Sequence, residues 1–388
     1  MADRSGDDME ATAGLADSQD VAQKADGVRP EHARNLAAFW SLGLLNNAAY
    51  VIMIAGANEI SSGAVGLVYF CAIFPTFVVK LTGPYWFHYV SYTARMWTIA
   101  ALMAGAYSTV ALTSSLSWQL LGVVLSSLQG GLGEASCLAL CSFYDSRKVL
   151  TFWSSGTGFA GVAGYTWVAA LHMLLGLSFA ATLLLANLTS LMWLLATSHD
   201  SEPAVHTMGL RERLRRTLLL WPYMGPLCLV YFAEYVMQSG VWSVMGFPVG
   251  SPDARHRFYT YSNWTYQLGV FVSRSSGLAY QADRSVLWLM PGLQVALLAF
   301  FSWDAVLHFW YNYSILLLCL LAGLLGGAVY VNAFTLISKE VEPRFREFSL
   351  SAASLGDSVG IALADITAIF IQGCLYKANH IVGASYTC

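Results

Sequence analysis

The sequence is poor in charge. Of its 388 residues only 11% are Asp, Glu, Lys or Arg, against 56% hydrophobic residues and a mean hydropathy of +0.54. A soluble globule carries about twice that charged fraction, so a water-soluble protein is excluded. Catalytic patterns are also missing: there is no G-x-S-x-G, no H-E-x-x-H, no P-loop and no conventional metal-ligand spacing. Neither an enzyme nor a cofactor is expected, and no nucleic-acid partner. Seven cysteines are present without a CxxC pair or a Cys/His cluster. Cys137 and Cys141, at i,i+4 spacing, read as small core residues, and a disulfide framework is not supported. The N-terminus lacks the basic stretch and apolar core of a cleavable signal peptide. Its first 34 residues are polar and acidic (Asp3, Asp7, Asp8, Glu10, Asp17, Asp20, Asp26, Glu31) and read as a disordered tail, leaving the first membrane span as an uncleaved anchor.

What the chain does have is long apolar runs. Several reach the ~20 residues a helix needs to cross a bilayer, and they are continuous rather than alternating, which excludes a β-barrel. The reading is an all-α membrane protein with eleven spans: 37–57, 64–82, 95–115, 118–142, 150–173, 177–197, 217–239, 258–277, 285–302, 310–334 and 348–372. The eighth, FYTYSNWTYQLGVFVSRSSG, is aromatic and polar rather than aliphatic. With the N-terminus in the cytosol, seventeen of the twenty Lys and Arg residues fall on the cytosolic side, and only Arg255, Arg257 and Lys377 on the other, as the positive-inside rule requires. The organisation read from this is a cytosolic tail at 1–34, a helical half at 35–197, a basic cytosolic linker at 198–216, a second helical half at 217–376 and a short lumenal tail at 377–388.

The two halves look alike. GGLGEASCLA in the fourth span matches GLLGGAVYVNA in the tenth, SSGTGFAG in the fifth matches SAASLGDSVG in the eleventh, and LGLLNNAAY in the first matches VYFAEYVMQ in the seventh. The offsets drift only from about 187 to about 200 residues. Two repeated bundles related by an axis along the membrane normal are the major-facilitator plan.

Four acids stand inside spans: Glu134, Glu234, Asp357 and Asp365. A carboxylate at the bilayer centre costs at least about 2.5 kcal/mol, so such groups face a bundle interior or a wet cavity. Glu134, Glu234 and Asp357 are therefore candidates for substrate binding or proton coupling, converging at mid-membrane. Their alternative role is a protonated acid bonded to a neighbouring helix, beside small residues that admit close contact. Asp365, about 12 Å further along its helix than Asp357, is the weakest of the four. Arg274 is the strongest cation candidate, since a guanidinium binds phosphate or carboxylate in bidentate fashion; the alternative is that it snorkels to the surface. Snorkelling is the reading for Lys80. Asn47, Tyr235 and Gln267 complete the candidates as polar groups within spans. His172 and His308 read as interfacial histidines, and the sequons at Asn187, Asn263 and Asn312 give no firm glycosylation site.

FWSLGLLNNAAYVIM, GLGEASCLALCSFY, FWSSGTGFAG, VYFAEYV, GVFVSRSSG, GGAVYVN and FREFSLSAASLGDSVGIAL, in this order, resemble the battenin family, the lysosomal membrane proteins linked to juvenile neuronal ceroid lipofuscinosis and their fungal vacuolar relatives. The similarity covers about residues 35–372. It implies a major-facilitator-like fold with eleven spans, a cytosolic N-terminus and a lumenal C-terminus in the lysosomal or vacuolar membrane. It further implies a role in clearing glycerophosphodiesters and maintaining lumenal pH; the fungal relatives are tied to vacuolar pH and basic amino acid balance. Glu134, Glu234, Arg274 and Asp357 fall inside the matching blocks. The first lumenal loop (58–63) is shorter than in animal members, the central loop has no evident acidic dileucine signal, and SYTC is not a prenylation box. The expectation is a secondary transporter of a small molecule, favouring an anionic phosphodiester and with protons as a coupling ion. A vacuolar basic amino acid carrier and a non-transporting trafficking scaffold are the rivals.

Overall fold

The computed structural model describes residues 33–56, 60, 65–197, 208–382 and 388. The expected tail up to residue 32, most of the first loop, the start of the linker (198–207) and residues 383–387 lie outside the described residues. Hydrocarbon supplies no hydrogen-bond partner, so a spanning chain must satisfy its own backbone groups, which helices do. Each stretch expected to span is largely helical, and no strand occurs among the described residues.

The first six stretches form α1 (Ala33–Ala55), α2 (Val65–Trp86), α3 (Tyr92–Leu112), α4 (Leu116–Leu140), α5 (Ser146–Val168) and the broken pair α6 (Phe179–Ala186) and α7 (Leu188–Thr197). A short basic helix, α8 (Leu210–Leu219), follows within the central connection. Then come α9 (Trp221–Tyr235), α10 (Pro252–Arg274), α11 (Arg284–Leu307), α12 (Leu316–Glu340), α13 (Pro343–Ala353) and α14 (Leu355–Ala378). Caps set several starts: the side chains of Ser91, Ser178, Ser251 and Asp283 accept the N–H three residues on, satisfying first-turn donors. Wider turns with i→i+5 hydrogen bonding at Ala169–Leu174 and Val236–Trp242 extend α5 and α9.

Seven helical segments among the described residues are long and apolar enough to cross a membrane. α3, α5, α9 and α10 fall outside that set, and α10 carries the aromatic, polar stretch noted in the sequence. The protein is an all-α, multi-span membrane protein.

Helices pack α1 on α5, α3 and α2 on α4, α10 on α12, and α9 on α14; α2 meets α14, and α5 meets α10. Apolar burial does not drive helix association in lipid, so close van der Waals fit must do so. Gly43 and Gly156 show how close: a Cβ on Gly43 would overlap the carbonyl oxygen of Trp153, and one on Gly156 that of Trp40. Gly156→Ala therefore forces α1 and α5 apart, and we expect it to cost about 1–3 kcal/mol, the range for overpacking, read as a lower melting temperature in detergent.

One expectation is corrected. Cys374, near the end of α14, forms a disulfide with Cys388 at a Cα–Cα distance of 4.8 Å. Beside it, the Lys377 ammonium donates to the Cys388 carbonyl oxygen at 2.7 Å. A cysteine at the edge of an apolar run gives no sequence sign of that pairing.

Candidate functional site

Where α1, α2, α4, α5, α9, α10, α12 and α14 meet, a cavity of about 130 Å³ is lined by polar groups including Asn46, Asn47, Lys80, Glu134, Thr157, Tyr231, Tyr235, Arg274, Tyr330, Asp357 and Ser358. At about 30 Å³ per water, it holds a few waters or one small acidic group. A larger crevice of about 1070 Å³ opens between α1, α3 and α7, but its walls are mainly apolar, among them Phe39, Leu42, Leu45, Met96 and Leu191. It lacks the convergent polar groups of the smaller cavity.

Lys80 is the centre of the polar cluster. Its ammonium lies 2.7 Å from Glu134 Oε2 and 2.9 Å from Asp357 Oδ1, and the residue is 3% exposed. The expectation that Lys80 snorkels is thus corrected: with two carboxylates facing it across the bundle, the ammonium gains more inside than at the surface. Ser358 donates to Asp357 Oδ1 at 3.0 Å. The Tyr330 hydroxyl donates to Glu134 Oε1 at 2.7 Å and accepts from Trp153 Nε1 at 3.2 Å.

Arg274, the last residue of α10, points into the same cavity rather than to the surface. Its two terminal nitrogens donate to Thr157 Oγ1 and to the Tyr231 hydroxyl, each at 2.6 Å. The guanidinium carbon lies 4.1 Å from the Tyr330 ring centroid, a cation–π contact. None of the ion pairs among the described residues involves Arg274, and its Nε has no hydrogen-bond partner. The two cations thus sit in different settings: Lys80 is neutralised by two acids, Arg274 is held by neutral hydroxyls.

Amides brace the walls. Asn46 donates to the Gly130 carbonyl at 3.2 Å and accepts from Gln129 at 2.9 Å, tying α1 to α4, and Asn47 donates to the Thr157 carbonyl at 3.0 Å, tying α1 to α5.

Glu134, Arg274, Asp357, Asn47 and Tyr235 come together here. Glu234 does not line the cavity. It is 1% exposed, faces Gly326 on α12, and its Oε2 has no hydrogen-bond partner. Gln267 also lies apart, against Gly161 on α5, and Asp365 is not among the lining residues. Sequence reasoning missed Lys80 as a candidate because it stands at the end of its run, and Thr157, Tyr231 and Tyr330 because hydroxyls within spans carry no charge signal.

Contacts tie the bundle together at the end with the basic connections. Arg147 donates to the Leu278 carbonyl at 2.6 Å, and the Tyr92 hydroxyl donates to Glu347 at 2.8 Å. From α8, Arg213 donates to the Pro84 carbonyl at 2.6 Å and lies over the Phe348 ring. Opening the cavity toward this end means breaking these contacts.

Comparison with known proteins places this architecture. The profile of the family described as CLN3 protein matches residues 37–198 and 196–378. Protein BTN1 of Yarrowia lipolytica is 34% identical over 380 residues, covering 88% of this chain and 95% of the relative. Battenin of Canis lupus familiaris is 32% identical, covering 87% and 90%. Among solved structures, the human organic anion transporter MFSD10 (TETRAN) superposes with a TM-score of 0.61 at 14% identity, covering 91% of this chain and 98% of that one. FucP, a major facilitator superfamily transporter in its outward conformation, gives a TM-score of 0.59 at 14% identity, covering 90% and 97%. At such identities the likeness speaks for the fold alone, and that fold is the major-facilitator one.

Proposed function

The chain belongs to the CLN3, or battenin, family, and from that membership and the cavity we propose that it is a secondary transporter of the lysosomal or vacuolar membrane that moves glycerophosphodiesters by alternating access. In this reading eleven spans form two repeated halves, with a cytosolic N-terminus and a lumenal C-terminus, and the halves rock about the cavity.

The observation that carries the reading is the state of Arg274: a buried guanidinium with an unpartnered N–H and no acid paired to it. A singly charged phosphodiester supplies the acceptor oxygens such a fork binds. Glu134 and Asp357, the acids that would suit a cationic amino acid, are already engaged by Lys80, which supports the anion over the basic amino acid. The cavity has room for the phosphate alone, so a whole glycerophosphodiester enters only when the halves part.

Charge balance links the flux to protons. Two cations and two carboxylates line the cavity, and they cancel when all are ionised. An arriving anion adds a net negative charge, which low dielectric penalises. A proton taken up on Glu134 or Asp357 offsets it, so anion and proton travel together. An acidic lumen loads the site and cytosolic pH discharges it, which ties the protein to lumenal pH.

Purified protein in liposomes tests this. We expect uptake of a glycerophosphodiester that rises several-fold when the pH gradient is oriented to drive protons with it, and that a protonophore removes the rise. Uptake of lysine without glycerophosphodiester uptake would contradict it.

A further inference from the structure

The two cations of the cavity occupy matching places in matching sequences. FVVKLTG, residues 77–83, lies in the last turns of α2 around Lys80, and FVSRSSG, residues 271–277, spans the end of α10 around Arg274; the two basic residues stand 194 positions apart. Their neighbours match as well. GGLGE, residues 130–134, aligns with GGAVY, residues 326–330, which pairs Glu134 of α4 with Tyr330 of α12 at a spacing of 196. SSGT, residues 154–157, aligns with SLGD, residues 354–357, which pairs Thr157 of α5 with Asp357 of α14 at a spacing of 200.

The contacts follow the same correspondence. Lys80 reaches Glu134 and crosses to Asp357 at 2.7 and 2.9 Å. Arg274 lies over Tyr330 and crosses to Thr157 at 2.6 Å. Each cation thus touches the residue that the alignment assigns to it. The two triads differ in charge: where Lys80 has two carboxylates, Arg274 has the ring face of Tyr330 and the Thr157 alcohol, with the Tyr231 hydroxyl as a further neutral partner.

We propose that Thr157 and Tyr330 are the specificity-determining residues of the cavity, neutral counterparts of Asp357 and Glu134 that leave Arg274 open to an anionic oxygen of the substrate. The closed triad at Lys80 shows what the alternative does: carboxylates at those two places fill the cation from within the protein. In the open triad the substrate's phosphate oxygens take the role that Glu134 and Asp357 play for Lys80. A carboxylate at position 157 would occupy Arg274 permanently and repel the anion. An alcohol at position 357 would loosen Lys80 and leave the cavity with an excess positive charge.

This inference rests on the anion reading of the cavity, and its test separates the two. Equilibrium binding of radiolabelled glycerophosphoglycerol, whose only charge is its phosphate, is measured on the purified full-length protein in detergent. Thr157→Asp and Thr157→Val remove the same hydroxyl at similar volume and differ in charge. The Asp variant is expected to bind at least about tenfold more weakly than the Val variant. The mirror variant, Asp357→Thr, is expected to bind about tenfold more tightly than wild type. Equal affinities for the two Thr157 variants, or unchanged affinity in Asp357→Thr, overturn the inference while wild-type binding leaves the transport reading standing. Absence of wild-type binding sinks the transport reading itself. The Asp357→Thr arm decides the matter by itself should Thr157→Asp yield no folded protein.

Discussion

Lys80→Met is expected to cost about 3–5 kcal/mol of stability, the range for removing one member of a buried charge cluster. The substitution keeps the length and apolar stem of the side chain, so packing on α2 changes little. What it removes is the ammonium held between Glu134 and Asp357. Two carboxylates then face each other inside the bundle, and the cluster is relieved only by protonation or by water drawn from one end. The melting temperature in detergent should fall by several degrees, more at pH 8 than at pH 5, since acid supplies the missing protons. Adding Asp357→Asn should recover part of the loss, because the pair of changes removes one charge of each sign. A double variant no more stable than Lys80→Met would show that the acid does not depend on the lysine.

Arg274→Lys is expected to do the opposite: to leave a folded protein that has lost its ligand. The lysine keeps the charge and loses the planar fork that reaches Thr157 and Tyr231 together and offers two parallel N–H groups to a phosphate. Truncating a buried, hydrogen-bonded charge contact costs about 2–5 kcal/mol of binding, so glycerophosphodiester affinity should drop roughly 100-fold. The melting temperature should fall less than in Lys80→Met, because no acid is paired with Arg274. Full binding by Arg274→Lys would mean that the ligand needs only a positive charge there.

Sequence legibility followed charge. Apolar runs bounded by Arg and Lys located the helices closely, because the bilayer leaves a spanning chain few alternatives. The break at Ser354 between α13 and α14, and the split between α6 and α7 at Asn187, had no such marker. Glu134, Asp357 and Arg274 could be singled out because each is a charge inside a stretch read as a span, and the structure gathers them in one cavity. Lys80 stands at the end of its run, where sequence gives no way to tell a surface lysine from one turned inward. The difference lies in partners on α4 and α14, which only tertiary packing brings within 3 Å. Glu234 shows the reverse. It looks in sequence like Glu134, yet α9 turns it toward Gly326 and away from the cavity, and one residue of helical rotation is enough to do so. Thr157 and Tyr330 emerge as uncharged partners of Arg274 only when SSGT is laid against SLGD and GGLGE against GGAVY, matches that gain meaning once both cations are seen in one place.

Competition binding at the central site tests the account most directly. Labelled glycerophosphoglycerol bound to the purified protein is challenged with unlabelled glycerophosphodiester and, separately, with lysine and arginine. Displacement by the anion alone, lost in Arg274→Lys, is the predicted result. Displacement by the cationic amino acids, or anion binding that survives the loss of the guanidinium, would contradict the assignment of an open cation at the heart of this carrier.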